Sequence, residues 1–233
     1  MEIPHYLVPM PSVIATAAWS EIGVVSSAFI VTLTTSLVAF TVSLISGVLV
    51  AILLSSSRII ERAVYPYVIV LQAMPSVAIA PLIIIWFGVS PTAVVIIATI
   101  MAFFPVLTNT LIGLRSTDKN LQELYKLLNA SKFQSLVRLR LPAALPYIVT
   151  GIKLCGVMAV VGVIVGEYVS GIGSGNAGLG FLIIRFGIRL EVPEMFAAGL
   201  ACAFLGIIFN FLVSKLSRLL LGKWHESEMT ESS

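Results

Sequence analysis

The chain has 233 residues, 58% of them hydrophobic and 11% charged, with a formal net charge of +3. Soluble domains carry roughly a quarter charged residues, so this composition excludes a water-soluble globular protein and indicates an integral membrane protein. No basic run is interleaved with aromatics, so the positive balance is not a nucleic-acid footprint.

In chain order, Met1–Glu21 lacks the basic start and continuous apolar core of a signal peptide. Pro4, Pro9 and Pro11 interrupt it too often for a span, so residues 1–22 are expected to form an outer interfacial segment. Five stretches then reach the roughly 20 apolar residues that a span needs. They are Gly23–Leu54, Pro66–Phe87, Thr92–Leu114, Leu145–Val169 and Phe196–Leu221. The first exceeds a bilayer and should tilt or protrude. Its Thr32, Thr34, Thr35, Ser36, Thr41, Ser43 and Ser46 can return their hydroxyls to the helix backbone, which makes burial tolerable.

In the second stretch Pro75 and Pro81 are expected to break the helix where Gln72, Met74 and Ser76 cluster. A broken helix lining a cavity offers polar backbone to a solute; a packing kink is the alternative. Asn109, on the third stretch, carries the same two readings. Glu167 lies near the end of the fourth. An ionisable group at that depth is a candidate for a translocation path. Hydration, or a bond to the glycine-rich turn that follows, is the alternative. Gly173-Ser-Gly-Asn-Ala-Gly178 matches the dinucleotide-binding letters but follows a membrane helix and not a strand, so it reads as a turn into a short helix over Leu179–Ile188. Arg185, Arg189, Glu191 and Glu194 then form either rim charge or a contact for a binding protein. Cys155 and Cys202 lie within spans, with no disulfide expected. The polar tail from His225 to Ser233 should be disordered. His5 and His225 are terminal and far apart, so no metal or catalytic histidine cluster is expected, and no GxxxxGK phosphate loop occurs.

Between the third and fourth stretches lies a basic, polar island from Arg115 to Pro146. Asn120 with Glu123 has capping-box spacing, and Leu121, Leu124, Tyr125 and Leu128 recur on one helical face. Asn129 stands where a left-handed residue would end that helix. Ser131 with Gln134 repeats the box, and the second helix presents Phe133, Leu136 and Val137 beside Lys132, Arg138 and Arg140. Pro142 and Pro146 are expected to end it. Two short helices with exposed apolar and basic side chains fit a docking element for a cytoplasmic protein; an amphipathic hairpin resting on anionic lipid is the alternative. With the island inside, only Arg185 and Arg189 of the 14 Lys and Arg residues fall outside. The positive-inside rule therefore predicts an outer N-terminus and a cytoplasmic C-terminus.

The island resembles the coupling (EAA) loop of ABC-importer permeases, which docks a short helix in the ATPase. Glu123-Leu124-Tyr125 stands at its Glu-Ala-Ala position, Asn129-Ala130-Ser131 at its Gly-Ala-Ser position, and Leu139-Arg140-Leu141-Pro142 at its close. Tyr125 replaces a small residue and Asn129 a glycine. Gln72-Ala-Met-Pro-Ser76, Ala80 to Gly88, Phe103 to Arg115, Leu141 to Tyr147, Gly166-Glu167-Tyr168 and Gly178-Leu-Gly-Phe181 are similar to the nitrate, sulfonate and taurine group, which includes riboflavin and pyrimidine-precursor importers. Members usually have one further N-terminal helix.

The resemblance implies an all-α membrane fold, the five-helix transmembrane domain of a type I ABC importer over residues 23–224, with its coupling loop at 115–142. It implies Glu123, Leu124, Tyr125, Leu128, Asn129, Ala130, Ser131 and Pro142 for ATPase coupling. The translocation path is expected to use Gln72, Met74, Pro75, Ser76, Asn109 and Glu167. No cofactor is expected on this chain, with ATP and magnesium bound by the partner. Implied partners are two ABC ATPase subunits, an extracytoplasmic solute-binding protein and a second permease copy, in a prokaryotic plasma membrane. An ion-gradient-driven carrier and a structural membrane subunit are the rival classes; mid-membrane ion ligands and inverted repeats would mark the carrier.

Overall fold

The computed structural model describes residues 9–171 and 177–221. All secondary structure among them is helical: α1 Pro11–Ser20, α2 Ile22–Ser55, α3 Arg58–Ala73, α4 Ser76–Phe87, α5 Pro91–Arg115, α6 Lys119–Leu127, α7 Lys132–Ser135, a π-turn over Leu136–Arg140, α8 Leu141–Ser170, α9 Leu179–Ile188 and α10 Val192–Leu221. Helices satisfy their own backbone, which is why an apolar chain in lipid takes this form. Four of them, α2, α5, the helix running from Lys132 to Ser170, and α10, are long and apolar enough to cross a membrane. The interrupted pair α3 and α4 makes a fifth if counted as one span.

The expected spans are recovered with informative differences. The second begins eight residues early, at Arg58, and its interruption falls only at Met74–Pro75. Pro66 and Pro81 sit inside continuous helix, because a proline removes one donor and neighbouring turns in a span can absorb that. Pro142 and Pro146 likewise do not end the helix before the fourth span. The Leu141 N–H bonds the Leu136 carbonyl, five residues back, and this wider turn gives the Pro142 ring room against the preceding carbonyls. The interfacial segment expected over residues 1–22 is described from residue 9 on: Pro11 opens α1 at its first turn, and α2 follows after Glu21. The expectations for residues 172–176 and for the tail lie outside the described residues.

The chain forms two compact units. The first takes the described residues within 1–42, 74–102 and 157–209. Ala39, Val94, Ala98 and Val163 meet at its centre, and Ala80, Ile83, Ala93 and Ile97 form a second cluster. Phe29 packs on Phe204 and Phe40 edge-on against Phe209, with ring centres 6.3 and 5.7 Å apart. The second unit takes residues 43–73, 103–156 and the described residues from 210 on. Gly113 lets α5 approach α8 at Ala144 and Tyr147, where a Cβ would not fit. Small residues at such crossings allow the backbone contact that replaces a hydrophobic drive in lipid. Large apolar residues such as Ile45, Leu49, Ile207 and Phe211 stay exposed, as lipid-facing side chains do.

Candidate functional site

Residues 115–142 form a cornered double helix within the second unit. Asp118 caps α6, accepting the Asn120 N–H at 2.6 Å and the Leu121 N–H at 3.2 Å. The cap is therefore two residues earlier than the Asn120–Glu123 spacing suggests. A carboxylate outcompetes an amide here because it meets two of the free amides at the positive helix end. The α6 C-terminus closes as a Schellman turn: Asn129 N–H bonds Lys126 O, Ala130 N–H bonds Tyr125 O, and Asn129 has φ 52°. Ser131 then caps α7 in a complete capping box with Gln134. The corner thus leaves its polar backbone satisfied while Leu124, Leu127, Leu128 and Phe133 stay exposed. Glu123, Asn129 and Ser131 are exposed too, whereas Tyr125, Ala130 and Pro142 are half-buried. Tyr125 and Ala130 turn into a cleft of about 450 Å³ shared with Ile52, Phe133 and Leu136.

At the foot of this element two arginines meet helix ends. Arg140 donates to the carbonyls of Leu114 and Ser55 at 3.2–3.4 Å, through Nε and both terminal nitrogens. Arg115 pairs with Glu61 and lies over the Tyr65 ring at 5.5 Å. A second cleft, about 990 Å³, opens among Arg58, Arg62, Arg115, Lys119, Lys126 and Arg140.

In the first unit Glu167 is 4% exposed. Its carboxylate accepts the Thr32 hydroxyl at 2.9 and 3.0 Å and the Gly180 N–H at 2.9 Å. Thr32 in turn accepts the Leu179 N–H at 2.9 Å, which commits its single proton to Glu167. Glu167 and Thr32 together close the first turn of α9 and oppose the positive end of that helix. A Cβ on Gly178 would land on the carboxylate, and one on Gly180 would meet the Ile164 carbonyl oxygen. The glycine-rich turn considered as a partner lies mostly outside the described residues; the carboxylate's backbone bond is to Gly180, in the first turn of α9. Thr32 departs from its neighbours: Thr34, Thr35, Ser36 and Thr41 return their hydroxyls to their own helix as expected. Its acceptor lies 135 residues away.

The other path candidates divide between the units. Gln72 and Asn109 belong to the second, and Met74, Pro75 and Ser76 to the first with Glu167. Gln72, Met74 and Pro75 are exposed, and Pro75 stands immediately before α4 as its extended cap. Asn109 is half-buried and gives its side-chain amide to Pro105 O, four residues back on its own helix, at 2.8 Å. Sequence reasoning missed Asp118 and gave neither Thr32 nor Arg140 the partners they have. The Asp at the end of Arg-Ser-Thr-Asp was a readable cap signal; the other two find partners too distant in sequence for any local pattern.

Residues 39–224 match the family described as "Binding-protein-dependent transport system inner membrane component". The formylaminopyrimidine transport permease protein ThiX of Halalkalibacterium halodurans is 33% identical over 191 residues, 82% of this chain and 74% of that protein. The riboflavin transport system permease protein RibX of Chloroflexus aurantiacus is 34% identical over 226 residues, 96% of this chain and 82% of that protein. Among solved structures, the inward-facing MetNI methionine ABC transporter aligns with a TM-score of 0.70 at 18% identity, covering 86% of this chain and 98% of that one. The fold is that of type I ABC importer transmembrane domains.

Proposed function

Because the chain belongs to the family of binding-protein-dependent transport system inner membrane components, we propose how this ABC importer permease couples a partner ATPase to solute movement. Residues 23–224 form the transmembrane domain in a prokaryotic plasma membrane, the N-terminus outside and the basic loop at 115–142 in the cytoplasm. Two copies face each other, two ATPase subunits bind below them and take up ATP and magnesium, and a solute-binding protein delivers a small solute from outside.

The observation that carries this reading is the cornered element α6–α7. Its ends are capped by Asp118, Asn129 and Ser131, so it moves as a body, and Leu124, Leu127, Leu128 and Phe133 stay exposed on it. Exposed leucines on a capped helix are anchors for a partner cleft. Glu123, Leu124, Tyr125, Leu128, Asn129, Ala130 and Ser131 make that docking face, with Pro142 beyond the π-turn at its return. ATP draws the ATPases together, the docked elements follow, and the core helices alternate the path's access. Gln72, Met74, Pro75 and Ser76, at the interrupted helix, and Asn109, on α5, are the candidates for contact with the solute. Glu167 serves it by holding α9 in place.

Co-purification from native membranes in mild detergent tests the docking face. The double variant Leu124→Asp, Leu128→Asp should remain folded and lose at least about tenfold of the attached ATPase, as interface anchors do. Wild-type retention of the ATPase by that variant would refute the assignment, and uptake driven by an ion gradient in its absence would favour a carrier.

A further inference from the structure

The coupling reading leaves open how movement of α6–α7 reaches the membrane helices, and Arg140 stands where that must happen. It is the last residue of the π-turn, directly before the long helix α8. Its guanidinium donates to Leu114 O near the end of α5, 26 residues away, and to Ser55 O at the end of α2, 85 residues away. Both carbonyls belong to the last helical turns, which carry unpaired acceptors and the negative end of the helix dipole. The planar guanidinium reaches both ends with a pre-organised fork of diverging donors, where an ammonium would offer one compact point charge.

The neighbouring π-turn makes the tie consequential. A turn closed by an i→i+5 bond is a local departure from the α ladder and a point at which a helix yields. Were nothing to hold the base of α8, a push on α6–α7 would be absorbed there as a bend. With Arg140 in place the base of α8 is bonded to α2 and α5, so the three shift together. Its bonds of 3.2–3.4 Å, on a half-buried side chain beside two open clefts, can be remade as the helices slide.

We propose that Arg140 is a positioning residue which passes the movement of the ATPase-docking element to α2 and α5, and that its loss uncouples ATP hydrolysis from the conformational change. This rests on the docking assignment above.

The test uses the full chain with its ATPase partner in proteoliposomes, with MgATP and vanadate as the probe. Cys155 and Cys202 are replaced by Ala, and Val77→Cys, at an exposed position of α4, reports through its labelling rate with a membrane-impermeant maleimide. In the otherwise wild-type complex, nucleotide trapping should change that rate. In Arg140→Gln, hydrolysis should stay within about twofold while the nucleotide-driven change shrinks about tenfold, within the range of a lost coupling between sites. Arg140→Lys keeps the charge without the fork and should retain an intermediate response. A response equal to wild type in Arg140→Gln, or hydrolysis and response falling in proportion, would overturn the proposal. Should Arg140→Gln fail to assemble, Arg140→Lys decides by the same comparison. A complex with native Arg140 that hydrolyses ATP with no labelling change would instead sink the coupling reading itself.

Discussion

Glu167 and Arg140 both close helix ends, with opposite signs and different degrees of burial. Glu167 meets the N-terminus of α9 in the first unit, and Arg140 meets the C-termini of α2 and α5 in the second. The Glu167 site is sealed: Thr32 is fully buried, and Gly178 and Gly180 leave no space for a methyl group. The Arg140 site borders two clefts and a π-turn. The same electrostatic device therefore serves a static joint in one place and a movable one in the other. What differs is packing, since a buried polar network tolerates no lost partner whereas a half-buried one beside open clefts has water to replace it.

That contrast can be broken by graded substitutions, read as shifts in the thermal or denaturant midpoint of the detergent-solubilised permease. Gly180→Ala should act most strongly, lowering stability by about 3 kcal/mol, because the added methyl meets the backbone carbonyl of Ile164, which has little freedom to move. A neutral result would show that the joint is loose. Thr32→Val should follow at about 2 kcal/mol, because the Leu179 N–H loses its acceptor and Glu167 a donor inside the fold. If stability were unchanged, Glu167 would have to find its partners elsewhere.

In the second unit the effects should be smaller and should appear in coupling before stability. Asn129→Val is expected to lose about 1–2 kcal/mol, since a branched residue resists the left-handed corner, while Asn129→Gly stays near wild type. Equal losses in the two variants would remove the corner from the account. Asp118→Ala should lose only about 1 kcal/mol, the usual value of an N-cap. A loss as large as that of Gly180→Ala would mean that the loop packs as tightly as the buried joint, and the contrast between the regions would fail.

Much of the second unit's loop was legible because its signals are local. Asn129 tolerates a positive φ, and Ser131 with Gln134 has box spacing; both features are present. The misplaced first cap shows the limit of such patterns. Asn120 with Glu123 satisfied the box rule, yet Asp118 reaches the first-turn amides. Leu190 ends α9 at φ 58° with the same pair of closing bonds as Asn129, and no sequence rule marks it, since leucine has no preference for that region.

Residue type alone marks Pro75, Pro81, Pro142 and Pro146 as breaks, yet of these four only Pro75 stands at an interruption. A missing donor is a local fact, but whether the chain bends there depends on what packs against it.

By itself the sequence determined the class, the number and rough limits of the apolar helices, and the capped corner of the loop. Hydrophobic run length and short-range backbone preference set all of these within one turn or one span. Tertiary structure alone decided that Thr32 serves Glu167 and not its own helix, and that Arg140 serves two helix ends. Those choices depend on which polar groups are left unsatisfied when distant segments pack, and in a low-dielectric interior an unsatisfied group takes whatever partner the fold brings to it.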